Sequence, residues 1–141
     1  MNKFALSLNV IGANEIKEID DIQFSSCAFV QIEIDGLNLL DQKVFSGTLL
    51  NFNEVRRSLQ SSGKYLIFTC ACGIADDAGW TEIDVIHQQD LVYWEFEYDS
   101  DFRFVFNAQQ YREAIETCEN AIIALPSEFF IEPQSVVFPS T

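Results

Sequence analysis

Cys70-Ala71-Cys72 is the pair of side chains in this sequence best spaced for chemistry. On an extended segment residues i and i+2 face the same way, so both thiols would leave one side of the chain. Two thiols so placed could serve a soft metal ion. Zinc, however, takes four ligands, usually as two separated pairs. One pair is present here, and no spacing requires Asp76, Asp77 or His87 to complete the set. No metal site is therefore predicted; Cys70, Cys72 and Asp77 come nearest to one, and small residues closing a buried strand are the simpler account. His87, the sole histidine, falls at the end of an inward-facing stretch and reads as a rim residue rather than a base. No Ser or Cys stands in a motif with a base and an orienting group. Gly-rich phosphate loops are absent. Carboxylate pairs at acid–base distance occur in any acidic chain and specify nothing. The sequence thus predicts no catalytic residue, no cofactor and no enzyme.

The carboxylates matter in another way. The 141 residues hold 22 Asp and Glu against 8 Lys and Arg, a formal charge of -14. Such a balance speaks against direct binding of nucleic acid or an anionic membrane, both of which need basic patches. Residues 65–102 contain no Lys or Arg, yet carry Asp76, Asp77, Glu82, Asp84, Asp90, Glu95, Glu97, Asp99 and Asp101. No basic residue follows Arg112.

The elements that position these groups follow from hydrophobic period. Apolar residues make up 48% of the chain, enough to bury a core and to argue against disorder. Residues 4–10 alternate as a strand, and residues 12–21 read as loop. Ala28, Val30, Ile32 and Ile34 alternate up to Asp35-Gly36, a strong hairpin signal. That turn pairs Ile34 with Leu37, Ile32 with Leu39 and Glu33 with Asn38. A first helix is predicted over 51–62, with Asn51 as cap, Glu54 at the capping-box position and Gly63 ending it in a left-handed conformation. Residues 65–70 are apolar throughout and read as one doubly covered strand. A second helix is predicted over 108–125: Asn107 caps it, and Tyr111, Ile115, Cys118, Ile122 and Leu125 form its apolar stripe.

Three alternating runs at 82–87, 91–98 and 102–106 form a meander. A turn at Gln89-Asp90 pairs Val85 with Trp94 and Ile83 with Phe96. A three-residue turn at 99–101 pairs Tyr98 with Phe102, Phe96 with Phe104 and Trp94 with Phe106. These registers set Glu82 opposite Glu97 and Asp84 opposite Glu95 on the outward face, with Arg103 opposite Glu97 as the one neutralising group. Like charges across a sheet are destabilising, by roughly 0.2–1 kcal/mol per pair. Tyr93, Leu91 and Ile86 share that face. Carboxylates beside aromatic and aliphatic groups suit a basic protein partner: charge for steering, a desolvated ring for affinity. Glu82, Asp84, Tyr93, Glu95 and Glu97 are accordingly the candidate partner-binding residues. The plainer account is a solvated acidic face that keeps the protein dissolved.

Residues 68–80 run Phe-Thr-Cys-Ala-Cys-Gly-Ile-Ala-Asp-Asp-Ala-Gly-Trp, with Val92-Tyr93-Trp94 and a Phe-rich strand beyond. This stretch resembles a group of short bacterial proteins with Phe-x-Cys-x-Cys-Gly, then Cys-Ala-Gly, then a Trp-containing hairpin. The resemblance covers residues 65–111, about a third of the chain, and Asp77 stands where that pattern has its third Cys. It implies a fold rather than an activity, since the group has no assigned function.

The expected fold is α+β: a mainly antiparallel sheet of six or seven strands, two helices and an extended tail. One domain spans 1–141, with 126–141 as a docking tail. The N-terminus lacks a cleavage site and no run reaches 18 apolar residues, so neither a signal peptide nor a membrane span is expected. Four cysteines read as reduced thiols, hence a cytoplasmic protein. The expected function is a non-catalytic module that binds a basic partner, as toxin-immunity proteins and inhibitors do. The alternatives are a metal- or small-ligand-binding domain built on the Cys70–Cys72 loop, and a structural domain that forms a homodimer through its tail.

Overall fold

The alternation at the N-terminus forms β1 (Phe4–Ile11), which pairs antiparallel with β4 (Cys27–Ile34), Phe4 facing Ile34 and Ile11 facing Cys27. The computed structural model describes residues 1–42, 45–74, 82–96, 103–134 and 136–138. Between these strands the segment expected as loop folds into a small hairpin, β2 (Lys17–Ile19) and β3 (Ile22–Phe24). Its turn residues Asp20 and Asp21 both take positive φ. Two aspartates tolerate that region, and no apolar period announced it.

The hairpin at Asp35-Gly36 forms as expected, with φ of 57° and 84°. Both values suit a two-residue turn whose twist matches its strands. Ile34 faces Leu37 and Glu33 faces Asn38 in β5 (Leu37–Asn38). Leu39 does not extend the ladder; it enters a 3-10 turn in which the Asn38 side chain accepts the Leu40 N–H. The Asp35 carboxylate accepts the Lys3 N–H at 2.8 Å and the Asn2 amide at 2.7 Å. These bonds, the Lys3 N–H first, hold its pKa below the ordinary value. A depressed folded pKa contributes stability that is present above the unfolded pKa and lost as pH falls through the folded one. Asp35→Asn keeps the turn preference but not the charge. Urea unfolding at several pH values should show wild type ahead of this variant near pH 6, with the gap closing below about pH 4. A gap that stays constant to pH 2 would exclude Asp35 as its source.

The next strands differ from the expected pattern. The apolar run at 65–70 is buried throughout, as read, but it is two strands in two sheets: β7 (Gly63–Tyr65) and β8 (Phe68–Cys70). β8 pairs with β6 (Thr48–Leu50), and β7 pairs with β9 (Ile83–Gln88). Helix α1 (Phe52–Arg57) is shorter than predicted. Asn51 makes no side-chain cap, and Gly63 lies in β7 rather than ending the helix in a left-handed conformation. Glu54 is buried and reaches the corner between β7 and β8 instead, accepting the Leu66 N–H at 3.1 Å while pairing with Arg57.

The meander is completed by β10 (Leu91–Glu95) and β11 (Arg103–Asn107), in the order β11-β10-β9-β7. Val85 faces Trp94, as expected. On the other side the register is two residues from the predicted one: Trp94 faces Phe104, and Phe106 faces Val92. A shift of two leaves every side chain on its own face, so the hydrophobic pattern could not distinguish the two registers. Asn107 caps α2 (Ala108–Ile123) by accepting the Gln110 N–H, as read. The last strand, β12 (Phe130–Glu132), lies parallel to β4. Among the described residues the result is α+β, with two helices and twelve short, mainly antiparallel strands in place of six or seven.

One core joins these pieces. Asn2 bridges to Phe106, linking the sheet of β1 and β4 to the sheet of β11 and β10. Beyond that bridge Gln110 takes over. Its side-chain amide accepts the Phe4 N–H at 3.0 Å and donates to the Phe4 carbonyl, as a neighbouring strand would. Phe4, Ile32, Val85, Trp94 and Phe106 meet Val55, Tyr111 and Ile115 from the two helices in the main core. A smaller core of Ile11, Cys27, Phe29, Leu49 and Ala71 covers the opposite face of β4, packed by the β2–β3 hairpin.

Candidate functional site

The outward face of β7, β9, β10 and β11 carries Asp84, Tyr93 and Glu95 of the predicted partner-binding residues. Pairing across the four strands sets Lys64, Asp84, Glu95 and Arg103 in one row. Asp84 does oppose Glu95, as the sequence indicated. The neutralising groups were misplaced. Arg103 opposes Glu95 rather than Glu97, with Nη2 at 3.1 Å from Oε1. Lys64 adds a second cation, 3.9 Å from Asp84, because β7 flanks β9. The row is thus balanced, two anions between two cations, and not the carboxylate cluster with a single neutralising arginine expected. Exposed pairs of this kind are each worth about 0–1 kcal/mol, so an incoming arginine could exchange into them cheaply.

The next row is apolar. Ile86 faces Tyr93, and Tyr93 faces Val105; all three are half-buried. The Arg103 guanidinium lies 5.8 Å from the centre of the Tyr93 ring. Leu91 follows along β10, and Glu82, half-buried, precedes β9. Glu97 lies outside the described residues. The face therefore offers a tyrosine-centred apolar strip bordered by charge.

Cys70 ends β8, paired with Thr48 and buried. The chain then turns, so the extended geometry expected for Cys70 and Cys72 does not hold. The Gly73 N–H donates to the Cys70 carbonyl at 2.9 Å, with Gly73 at φ 89°. The turn carries Cys72 to the surface and still leaves its Sγ only 3.2 Å from that of Cys70. The Ile74 N–H points at Cys72 Sγ from 3.5 Å. Asp77 lies outside the described residues, and among those described no three His, Cys, Asp or Glu side chains cluster as a metal site would require.

His87 sits at the core rim. Its Nε2 is 2.6 Å from the Ser58 carbonyl, to which it donates. Its backbone N–H donates to Ser62 Oγ. Behind it runs a buried chain that the sequence did not reveal. Trp94 Nε1–H donates to the Tyr111 hydroxyl at 3.2 Å, and Tyr111 donates to Ser58 Oγ at 2.6 Å. Ser58 in turn donates to the Val55 carbonyl. Burial pushes the Tyr111 pKa up to about 12, against the opposing pull of the bonds to Ser58 and Trp94. Among the described residues no helix is long and apolar enough to cross a membrane. No family model matches the chain, and neither a curated protein nor a solved structure matches it.

Proposed function

We propose that this protein is a non-catalytic interaction module that binds a basic protein partner in the cytoplasm, in the manner of toxin-immunity proteins and inhibitors. The observation that supports this reading is the outer face of β9 to β11. There Tyr93, Ile86 and Val105 form an uncovered apolar strip beside Asp84 and Glu95, on a chain of charge -14. A tyrosine flanked by aliphatic groups buries well at little entropic cost. Net negative charge draws a basic surface from a distance and raises the on-rate, an effect that salt screens over about 10 Å at 0.1 M.

Lysate of the native host, passed over tagged protein at low salt, should yield a basic protein that elutes as salt rises. Once purified, that protein should bind Glu82→Lys/Glu95→Lys at least tenfold more weakly than wild type. The exchange gives Asp84 a second cation but sets the new lysine opposite Arg103; each exposed pair is worth about 0–1 kcal/mol, so the melting temperature should stay within a few degrees. Equal affinity for the variant would overturn the reading. So would an empty capture at every salt concentration, or a protein that elutes only as a dimer of itself.

A further inference from the structure

The two cysteines of the turn after β8 have a property that the partner-binding reading does not use. A disulfide needs its Cα atoms within about 7 Å and its sulfurs able to close to about 2 Å. An extended Cys-x-Cys stretch sits near that upper limit. Here the turn closed by the Gly73 N–H on the Cys70 carbonyl folds the stretch, and the sulfurs stand 3.2 Å apart. Their environments differ. Cys72 is exposed, whereas Cys70 is 3% exposed at the end of its strand. The remaining cysteines are buried, Cys27 in the small core that includes Ala71: burial raises the Cys27 pKa, and pushes that of Cys118 up to about 11.

The same turn anchors the end of the chain. The Val137 N–H donates to the Gly73 carbonyl at 2.7 Å, and Val137 bridges to Ile74. Docking of that segment therefore depends on the geometry of residues 72–74.

We propose that Cys70 and Cys72 are a reversible dithiol–disulfide pair whose oxidation loosens the C-terminal segment at Gly73. The co-reactant is a small-molecule disulfide. The Cys72 thiolate attacks one of its sulfurs, giving a mixed disulfide and expelling one thiolate. Cys70, losing its proton to that thiolate, attacks Cys72 Sγ and expels the second thiolate, which takes up a proton from water to replace the one Cys72 released. Two protein thiols are oxidised, one external disulfide is reduced to two thiols, and no proton is gained or lost overall. Cys72 is the attacking residue because it is accessible; Cys70 resolves because it is 3.2 Å behind.

The test equilibrates the folded chain with graded mixtures of reduced and oxidised glutathione, then reads intact mass and amide exchange. Wild type should lose the mass of two hydrogens and retain no adduct. Cys70→Ser should retain one glutathione, and Cys72→Ser should stay unmodified; melting curves establish that both variants are folded. In the oxidised wild type the Val137 amide should exchange at least tenfold faster than in the reduced form. A wild type that keeps a stable adduct, or that remains reduced in oxidised glutathione alone, would overturn the proposal. An internal disulfide with Val137 exchange unchanged would overturn the coupling to the tail. None of these outcomes depends on a basic partner.

Discussion

Replacing Phe4 by Ala is expected to destabilise the protein by about 3–5 kcal/mol, in urea unfolding followed by circular dichroism. Phe4 lies near the N-terminus, where most chains fray. Here it is fully buried. Its ring lies 4.7 Å from that of Tyr111, 5.0 Å from Phe106 and 5.6 Å from Trp94, at tilted and edge-on angles. Such pairs add about 0.5–1.5 kcal/mol each to the area they bury. Three elements meet on this ring: β10, β11 and α2. Gln110 holds the Phe4 backbone from the same side, so the neighbours cannot easily close over the hole. A domain of this size has about 5–15 kcal/mol in total, and one truncation would remove a large part of it. Val10 on the same strand is 41% exposed, and Val10→Ala should cost less than about 1 kcal/mol. Equal small losses at both positions would mean that β1 is not held in the core.

Parity alone gives Val10 the face of Phe4, yet Val10 is exposed and Ile11 buried, so the first strand was legible as a strand but not in its burial. Alternation around Asp35-Gly36 was sufficient for the hairpin, because the turn chemistry and the strand period agree on one register. The second helix was legible for a similar reason: Asn107, the stripe from Tyr111 to Cys118 and the terminating Pro126 all point the same way. Local signals that conflict with tertiary demands misled. Helix α1 reads as extending to 62 because Gly63 offers it an end in the left-handed conformation. It stops at Arg57, and Ser58 turns inward to accept the Tyr111 hydroxyl and to offer its carbonyl to His87. Both partners are distant in sequence, so nothing local could reveal them.

The candidate site was legible in its members and not in its balance. Tyr93, Asp84 and Glu95 were placed on the outer face correctly, since face follows from parity. Charge balance depends on which strands are neighbours. Lys64 joins the row only because the apolar run at 65–70 divides between two sheets, putting β7 beside β9. Arg103 meets Glu95 only because β11 sits two residues from the other register compatible with the pattern. Parity is insensitive to both facts. The proximity of the two sulfurs was missed for a related reason: the glycine after Cys72 permits a left-handed turn, and an extended reading assumes none.

Tyr111→Phe is expected to cost about 1–3 kcal/mol at pH 7, a cost that shrinks in strong alkali. The hydroxyl accepts the only hydrogen bond that Trp94 Nε1–H makes among the described residues, and both side chains are fully buried. Removing it leaves that donor buried and unpaired, which costs about 1–3 kcal/mol. Ser58 loses a donor but keeps its own bond to the Val55 carbonyl, so the damage centres on Trp94. The alkaline behaviour follows from ionisation. Burial raises the Tyr111 pKa from 10 to about 12. A group whose folded pKa lies above its unfolded value contributes stability that is whole below the unfolded pKa and is lost as pH rises through the folded one. The loss by pH 12 amounts to about 2 kcal/mol, and Phe has no proton to lose. The other tyrosines are common to both proteins and cancel in the comparison. Urea midpoints measured from pH 7 to 12 should therefore begin with wild type ahead and converge above pH 10. Parallel curves across that range would mean that Tyr111 ionises as readily in the fold as in the unfolded chain, and that the buried chain from Trp94 to Ser58 is not closed.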